Sequence, residues 1–496
     1  MSRSYKKHPI VKDKGGYTKK DSARRFRRTV NKDLEQNFDR ADHKKVLRDA
    51  YDVCDWICHM SLEEALEAYR NNETWKDRYT EEEFKTKNAK GVLSLLAGNT
   101  VAQLIMILGG FVLGRWYGPE NNGTYNVFLS FVAILSILTT FRLENIFVIS
   151  KSTKAIRNLF SSLLLITSIA TILFFLGYAV VEKVFSLKTS LWVVFLSSFA
   201  GLFTAWYNLQ TSLFTKYKLF HAISTGFILN ALLSVAFQFV FYFLAYKKDG
   251  LIYGTIIATI ISCLYFFSIT KGRLKKPNWN LFKLTLKKDK EIIKYTLPSD
   301  SLNAIANNLM TILIAFFFTK IEVAFFAMSA KMLVTPLIIL SNAMSKVFFQ
   351  KSANMIHHSP EKLYDLSVRI VLYNVGAIGA FLLGMNVIGV YILQWILGAD
   401  WDGLNVFVLI LSFWILCRSA MNPISQIVVV IRKNYYALYF NLYLVFITVV
   451  SVLIGGIRKD ILMSLYLYSF LAGIGYLVQL YFVLRELSRL KHRQVV

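Results

Sequence analysis

Residues 250–270, GLIYGTIIATIISCLYFFSIT, decide the fold of this chain because they contain no charged side chain over the length of a membrane-crossing helix. In lipid the backbone has no water to bind, so a spanning segment must be a helix or belong to a closed barrel. The apolar residues are continuous rather than strictly alternating, which favours a helix. The stretch is therefore predicted to be a transmembrane helix.

The composition extends this prediction to most of the chain. Hydrophobic residues make up 55% of it and charged residues only 18%, whereas about a quarter of a soluble domain is charged. We predict an all-α integral membrane protein with about twelve transmembrane helices. They lie at residues 92–114, 124–147, 158–181, 189–208, 219–245, 250–270, 297–319, 322–346, 367–393, 403–425, 435–456 and 461–484.

The net charge of +26 could indicate nucleic-acid binding, but its distribution indicates membrane topology instead. If residues 1–90 are cytosolic, the inner loops and the tail contain about 25 Lys and Arg, against about 8 in the outer loops. The loop 271–294 contributes most of the excess of inner basic residues. It is interpreted as a topology signal and a lipid-headgroup contact. No nucleic-acid partner is predicted, and both termini are expected in the cytosol.

Residues 1–90 form a polar head that is unlike the rest of the chain. Residues 1–48 are basic and poor in apolar side chains, and the second half of the head is more acidic, with a capping-box pattern at residues 61–64. We predict a basic arm followed by a small helical module, both soluble and cytosolic. The remaining chain divides into an N-lobe, residues 91–294, and a C-lobe, residues 295–496.

An internal repeat supports the division into two lobes. Asn99–Gln103 opens the first predicted span and matches Asn303–Asn307, which opens the seventh. The inner loop Asn208–Ala222 resembles Asn422–Ala437 six spans later. Because six is even, the two halves have the same orientation and should be related by a pseudo-two-fold axis along the membrane normal. Two like lobes around a central cleft are typical of alternating access.

Several motifs in order resemble a known family. Residues 109–147, GGFVLGRWYGPENNGTYNVFLSFVAILSILTTFRLENIF, resemble the first two helices of bacterial polysaccharide flippases, through Gly-Arg, Gly-Pro-Glu, Gly-x-Tyr and Arg-x-Glu. Residues 294–318 and 324–349 are similar to their seventh and eighth helices, and WILGADWDG at 395–403 to an outer loop. The resemblance covers about residues 91–485. These flippases belong to the multidrug, oligosaccharidyl-lipid and polysaccharide exporter superfamily.

The chain departs from that family in two places. Its polar head is not part of the usual flippase and resembles short, uncharacterised bacterial proteins, which suggests a fused module. Lys331 stands in the eighth span where the family often has Arg.

The resemblance implies a function. It implies a flippase that moves undecaprenyl-diphosphate-linked oligosaccharide repeat units across the cytoplasmic membrane of a bacterium, for O-antigen, capsule or exopolysaccharide synthesis. The implied partners are that lipid-linked oligosaccharide and the membrane lipids, together with a polysaccharide polymerase and glycosyltransferases.

Two other functions stay open. An ion-coupled multidrug exporter of the same superfamily would need a cavity for cations, which the positively charged candidate residues disfavour. A polysaccharide polymerase or membrane glycosyltransferase commonly carries a sizeable outer loop, and the outer loops here are about 3 to 11 residues long. No catalytic residue and no enzymatic activity are predicted.

Charged side chains inside the predicted spans are the first candidates for the transport site, because a charge in the membrane is costly and usually faces a cavity. Lys331 falls near the middle of the eighth span, Arg418 in the inner half of the tenth and Arg142 near the inner end of the second. We predict that they bind the phosphates of the substrate. For Arg142 an ion pair with Glu144, or snorkelling to the interface, explains the position equally well.

Amide side chains are the second group of candidates. Asn99 and Gln103 are four residues apart, and so are Asn303 and Asn307, so each pair shares a helix face. They are predicted to bind sugar hydroxyls, and helix–helix contacts are the alternative explanation.

Acidic side chains near these amides are candidates for ion coupling. Asp300 and Glu144 are predicted to couple transport to protons or sodium ions. No cofactor is predicted, and no metal site, since Cys54, Cys58 and His59 lack a second ligand pair.

Overall fold

A computed structural model describes residues 81–150, 152–185, 191–270, 276–288, 297–358, 360–425, 427–430 and 435–493. All regular structure within these ranges is helical. The basic arm, the capping box at 61–64 and the cysteines of the head lie outside the described residues.

The described residues form fifteen α-helices, which we number in chain order. They are α1 Glu81–Thr140, α2 Asn145–Ile149, α3 Thr153–Phe185, α4 Leu191–Lys216, α5 Phe220–Phe243, α6 Gly250–Thr270, α7 Trp279–Lys288, α8 Leu297–Phe317, α9 Lys320–His358, α10 Pro360–Gly384, α11 Val390–Leu397, α12 Leu404–Met421, α13 Ile427–Val430, α14 Tyr435–Arg458 and α15 Ile461–Arg493. A π-helical turn at Met385–Gly389 joins α10 to α11.

Helix α1 contains the first two predicted membrane spans. It changes direction at Gly118, whose φ of 72° is readily adopted only by glycine, and Pro119 begins the second arm. Eleven helices of the described chain are long and apolar enough to cross a membrane, and the first of them, Ala97–Thr140, carries both arms. The prediction of about twelve crossings in an all-α membrane protein is therefore confirmed.

The helices pack into two lobes. In the first lobe α1, α4, α5 and α6 contact one another and α3 packs on α4; in the second, α12, α14 and α15 pack with α8 and α10. Contacts between the lobes run mainly from α1 to α8 and α9. We call this boundary the seam.

Because successive helices alternate in direction, the loops collect at two ends. One end, which we call the Gly118 end, contains the bend of α1 and the connections 244–249, 318–319 and 398–403. The other, the Asp300 end, contains the start of α8 and the connections that leave α1, α4 and α12.

The second span ends earlier than predicted. The sequence predicts it to continue to residue 147, but α1 stops at Thr140 and the separate helix α2 follows. Phe141 and Arg142 have φ of 48° and 55°, and such left-handed residues cannot continue an α-helix. Arg142 and Glu144 therefore lie in a turn at the Asp300 end and not inside a membrane helix.

Candidate functional site

Lys331 reaches across the seam from the first third of α9. Its Nζ donates a hydrogen bond to the backbone oxygen of Met106 on α1, at 3.2 Å. Gly110 makes this approach possible, since a Cβ there would lie 2.8 Å from the same Nζ. A cation of the second lobe is thus held against the backbone of the first.

Lys331 lies in the part of α9, Lys320–Ile338, that is long and apolar enough to cross a membrane, and the residue is exposed there. No carboxylate of the described chain forms an ion pair with it, so its charge is available to a ligand.

Arg418, the second predicted cation, lies on α12. Its Nη1 donates to Oδ1 of Asn307 at 3.4 Å, which is long for a hydrogen bond, and its Nε is buried without a partner. The guanidinium also lies over the ring of Trp414, 5.5 Å from the ring centroid. Arg418 therefore retains donors that no protein group satisfies well.

The amides of α8 lie beside Arg418. Asn303 and Asn307 are exposed, and Asn307 donates to the backbone oxygen of Asn303 at 2.7 Å. Asn308, on the adjacent face, is half-buried and bonds to the Ala304 oxygen. Asn303 and Asn307 therefore share one exposed face of α8, and Asn308 lies beside that face.

The amides of α1 lie on the helix face that meets Lys331. Asn99, Gln103, Met106 and Gly110 follow one another at spacings of three and four residues, and Met106 and Gly110 contact Lys331. Within the described residues the Asn99 side chain makes no hydrogen bond, and Oε1 of Gln103 is buried without a partner. A buried acceptor without a hydrogen bond is costly, so Oε1 of Gln103 is available to accept a hydrogen bond from water or from a ligand.

A separate cluster of charges occupies the Asp300 end. Asn145 on α2 donates to Oδ2 of Asp300 on α8 at 3.1 Å, which links the two lobes there. Arg142 lies 3.8 Å from Glu144, whose side chain is only 3% exposed and whose Oε2 has no partner. Burial raises the pKa of Glu144, and Arg142 lowers it in part. The structure thus places Arg142 in this cluster, whereas Lys331 contacts Met106 and Arg418 contacts Asn307.

The Gly118 end of the seam is closed by a tryptophan that the sequence did not single out. Trp401 is fully buried, stacks on Phe325, and donates its Nε1 to the backbone oxygen of Gly114 at 3.3 Å. Arg115 reaches the oxygen of Ile396 at 3.3 Å. We call the contacts of Trp401 with Gly114 and Phe325, together with that of Arg115 with Ile396, the plug.

A spacing in the sequence could have revealed the plug. Gly110, Gly114 and Gly118 recur every four residues, a pattern that lets membrane helices approach closely. A Cβ at Gly114 would meet Leu397 at 3.0 Å and Met328 at 3.2 Å, and one at Gly123 would collide with the backbone oxygen of Lys320. Glycine on the first lobe is therefore required for contact with the second.

Metal ions in proteins are commonly bound by groups of His, Cys, Asp or Glu side chains. No group of three or more such side chains in the described part of the chain could hold a metal ion. Cys263 and Cys417 are free and buried.

Two helical lobes that meet along a seam with accessible cations and amides are the architecture of a membrane transporter. The family described as "Polysaccharide biosynthesis protein" matches residues 112–406, and the chain belongs to that family. No curated protein matches the sequence.

Solved structures share the fold at low sequence identity. The chain is similar to a MATE family multidrug resistance transporter of the MOP superfamily in an inward-facing conformation, with a TM-score of 0.58 and 14% identity over 79% of this chain and 96% of that one. It is similar to the lipid II flippase MurJ in an inward closed conformation, with a TM-score of 0.55 and 15% identity over 81% and 90%. A MOP superfamily transporter from Pyrococcus furiosus gives a TM-score of 0.51 and 13% identity over 82% and 97%.

Proposed function

We propose that this protein is a flippase for undecaprenyl-diphosphate-linked oligosaccharides and acts by alternating access in the cytoplasmic membrane of a bacterium. The observation that carries the proposal is Lys331, an exposed cation without a carboxylate partner among the described residues, reaching across the seam between the lobes. A diphosphate needs charged donors in a medium that penalises anions. Membership of a polysaccharide biosynthesis family supplies the class of cargo.

The cations bind one part of the substrate headgroup and the amides bind another. Lys331 and Arg418 bind the diphosphate oxygens, and Arg418 brings an unpartnered Nε and a weakly bonded Nη1 to them. Asn303, Asn307 and Gln103 bind sugar hydroxyls, since an amide can both donate and accept. The lipid tail stays in the bilayer while the headgroup crosses through the cleft.

During transport, the lobes break their contacts at one end of the seam and keep those at the other end. In the state described, the plug closes the Gly118 end, and at the Asp300 end the described residues are linked by the bond from Asn145 to Asp300. We assign the Asp300 end to the cytosol, where its basic connections are expected. Opening the Gly118 end then requires Trp401 to leave Gly114, and the sugar emerges outside.

Ion coupling is assigned to the cluster at the Asp300 end. Glu144 is nearly inaccessible, lacks a partner for Oε2 and has a pKa that burial raises, so it takes up a proton more readily than an exposed glutamate. Asp300 accepts the inter-lobe bond from Asn145. Protonation of Asp300 would remove the charge from the acceptor of this bond and weaken the link between the lobes.

A reconstituted transport assay tests the proposal. Purified protein in vesicles is given a fluorescent undecaprenyl-diphosphate oligosaccharide in one leaflet, and its appearance in the other leaflet is measured. Lys331→Gln should lower the rate by roughly tenfold or more, because a hydrogen bond to a charged group is lost. Lys320→Gln on the same helix is the matched control, since Lys320 is exposed at the Gly118 end and its 3.8 Å contact with Glu120 is a surface ion pair that contributes little energy.

The same vesicles separate the proposal from its alternative. Uptake of a lipophilic cation, with no movement of the diphosphate lipid, would replace the flippase by a multidrug exporter. Equal flipping rates for Lys331→Gln and Lys320→Gln would show that Lys331 does not bind the substrate during transport.

A pair of asparagines on one helix tests the sugar-binding role. Asn303→Leu should slow transport several-fold, because it removes an exposed amide, about 1 kcal/mol per lost hydrogen bond. Asn308→Leu is the control because Asn308 bonds to the Ala304 oxygen of its own helix. The ratio of the two flipping rates is the measurement. A ratio of one would show that the amides serve helix packing and not sugar binding.

A further inference from the structure

The connection between the lobes contains a short helix, α7, with two different faces. It lies at the Asp300 end, after α6 and before α8. It packs on α3, and its role can be inferred whichever molecule the protein transports.

One end of α7 is fixed to the first lobe by paired asparagines. Asn158 near the start of α3 donates to the backbone oxygen of Asn278 at 2.9 Å, and the Asn278 N–H donates to Oδ1 of Asn158 at 2.6 Å. The Oδ1 of Asn278 also accepts from the N–H of Leu281 at 3.1 Å, which caps the helix. Since Asn158 lies in the first turns of a membrane-spanning helix, α7 is held at the level where the membrane ends.

The inner face of α7 is apolar and covered. Phe282 and Leu286 are half-buried against a cluster formed by α2, α3 and α4, and Thr285 beside them is buried. This contact uses the positions on one side of the helix and leaves the other side without a protein partner among the described residues.

The outer face combines lysines with large apolar side chains. Trp279, Lys283 and Lys287 follow at four-residue spacing, and Lys283 and Lys287 are exposed. Trp279 is 48% exposed and Leu284 63% exposed, and Lys276 stands exposed just before the helix. No described carboxylate forms an ion pair with these lysines. Tryptophan and leucine beside lysine are the composition of a helix that lies in a membrane interface.

We propose that the outer face of α7 is a binding site for anionic phospholipid headgroups. Lys276, Lys283 and Lys287 bind the phosphates, while Trp279 and Leu284 lie among the upper parts of the acyl chains. Charge complementarity favours this partner, because the face is cationic and is held at the surface of a membrane. An acidic protein would satisfy the lysines but not the exposed Trp279 and Leu284.

Native mass spectrometry of the full chain tests the site. Lipids bound to the protein in neutral detergent are counted during titration with phosphatidylglycerol or with phosphatidylcholine. Replacing Lys276, Lys283 and Lys287 by Gln should weaken phosphatidylglycerol binding by at least about tenfold, since each surface lysine contributes a several-fold factor. Phosphatidylcholine binding should change little.

A matched variant removes the same charge from the opposite end of the molecule. Lys247, Lys248 and Lys459 are exposed at the Gly118 end, and changing all three to Gln should leave phosphatidylglycerol binding at α7 intact. Equal losses in the two triple variants would overturn the proposal, because they would show only an effect of net charge.

A nitroxide at residue 284 gives an independent readout. In vesicles containing phosphatidylglycerol, a label on Leu284→Cys should be more accessible to oxygen than to a water-soluble nickel reagent, in a background lacking the native cysteines. A label that is freely accessible to the nickel reagent would place this face in water and overturn the lipid assignment in favour of a protein partner.

Discussion

The two ends of the seam are built differently. At the Gly118 end, a buried tryptophan fits against glycine, and a Cβ at Gly123 would collide with the backbone of the opposite lobe. At the Asp300 end, the described inter-lobe bond joins two polar side chains, Asn145 and Asp300. Close apolar packing resists separation along its whole area, whereas a polar bond can exchange with water. The difference indicates that the Gly118 end is the harder of the two ends to separate.

The largest effect should come from adding one methyl group to the closed end. Gly123→Ala introduces a Cβ against the Lys320 backbone oxygen, where no flexible side chain can move aside. Overpacking of this kind costs about 1–3 kcal/mol, so the closed state should lose about one order of magnitude in population and transport should fall with it. Cross-linking of Glu120→Cys to Lys320→Cys by a short bifunctional thiol reagent measures the closure.

A glycine in open space provides the comparison for this prediction. A Cβ at Gly376 has no atom within 4 Å, so Gly376→Ala should retain the cross-linking yield of the parent. Normal closure in Gly123→Ala would show that the seam is not sealed at the position the structure indicates.

A smaller effect is expected from removing one hydrogen bond in the plug. Trp401→Phe retains a ring against Phe325 but loses the bond to Gly114, worth about 1 kcal/mol, so the closed population should fall by about fivefold. The same cross-linking assay measures it. Asn145→Ala removes one bond at the other end and should not reduce this yield; if it does, the two ends are not distinct.

The smallest expected effect concerns the pH dependence of stability. Burial raises the pKa of Glu144 in the folded protein, so the folded state binds more protons than the unfolded chain between the ordinary glutamate pKa and the raised one. Stability contributed by this side chain is therefore lost as the pH rises through that window. Glu144→Gln should unfold at a higher temperature than the parent at pH about 8, and the difference should narrow towards pH about 4–5.

Thermal unfolding in detergent over that pH range is the measurement. Glu120→Gln is the matched control, since the Glu120 side chain is 70% exposed at the Gly118 end. A constant difference between Glu144→Gln and the parent at all pH values would contradict a raised Glu144 pKa.

Hydropathy and charge predicted the helices well because each membrane span is a local property of the chain. A run such as residues 250–270 has no alternative to a helix in lipid, and its structure depends on no distant residue. The predicted end of the second span was wrong because nothing in the composition of Phe141 and Arg142 indicates positive φ. Apolarity continues through that turn while the helix does not.

The site was predicted in part for a related reason. Lys331, Arg418 and Asn307 carry polar groups in apolar surroundings, and such residues can be identified from the sequence alone. Their partners could not be, because the Met106 oxygen belongs to the backbone and Trp401 looked like part of an outer turn. These two contacts across the seam join residues separated by more than two hundred positions, and no local pattern indicates them. The roles of these residues in binding and coupling stay predictions.

The length of the first arm of α1 has a mechanical consequence. From Glu81 to the bend at Gly118 the helix is uninterrupted, which corresponds to about 55 Å, whereas the hydrocarbon core measures about 30 Å. A continuous helix transmits rotation along its axis. A torque applied to the first turns of α1 would therefore be transmitted to Gly110 and Gly114, which contact the second lobe.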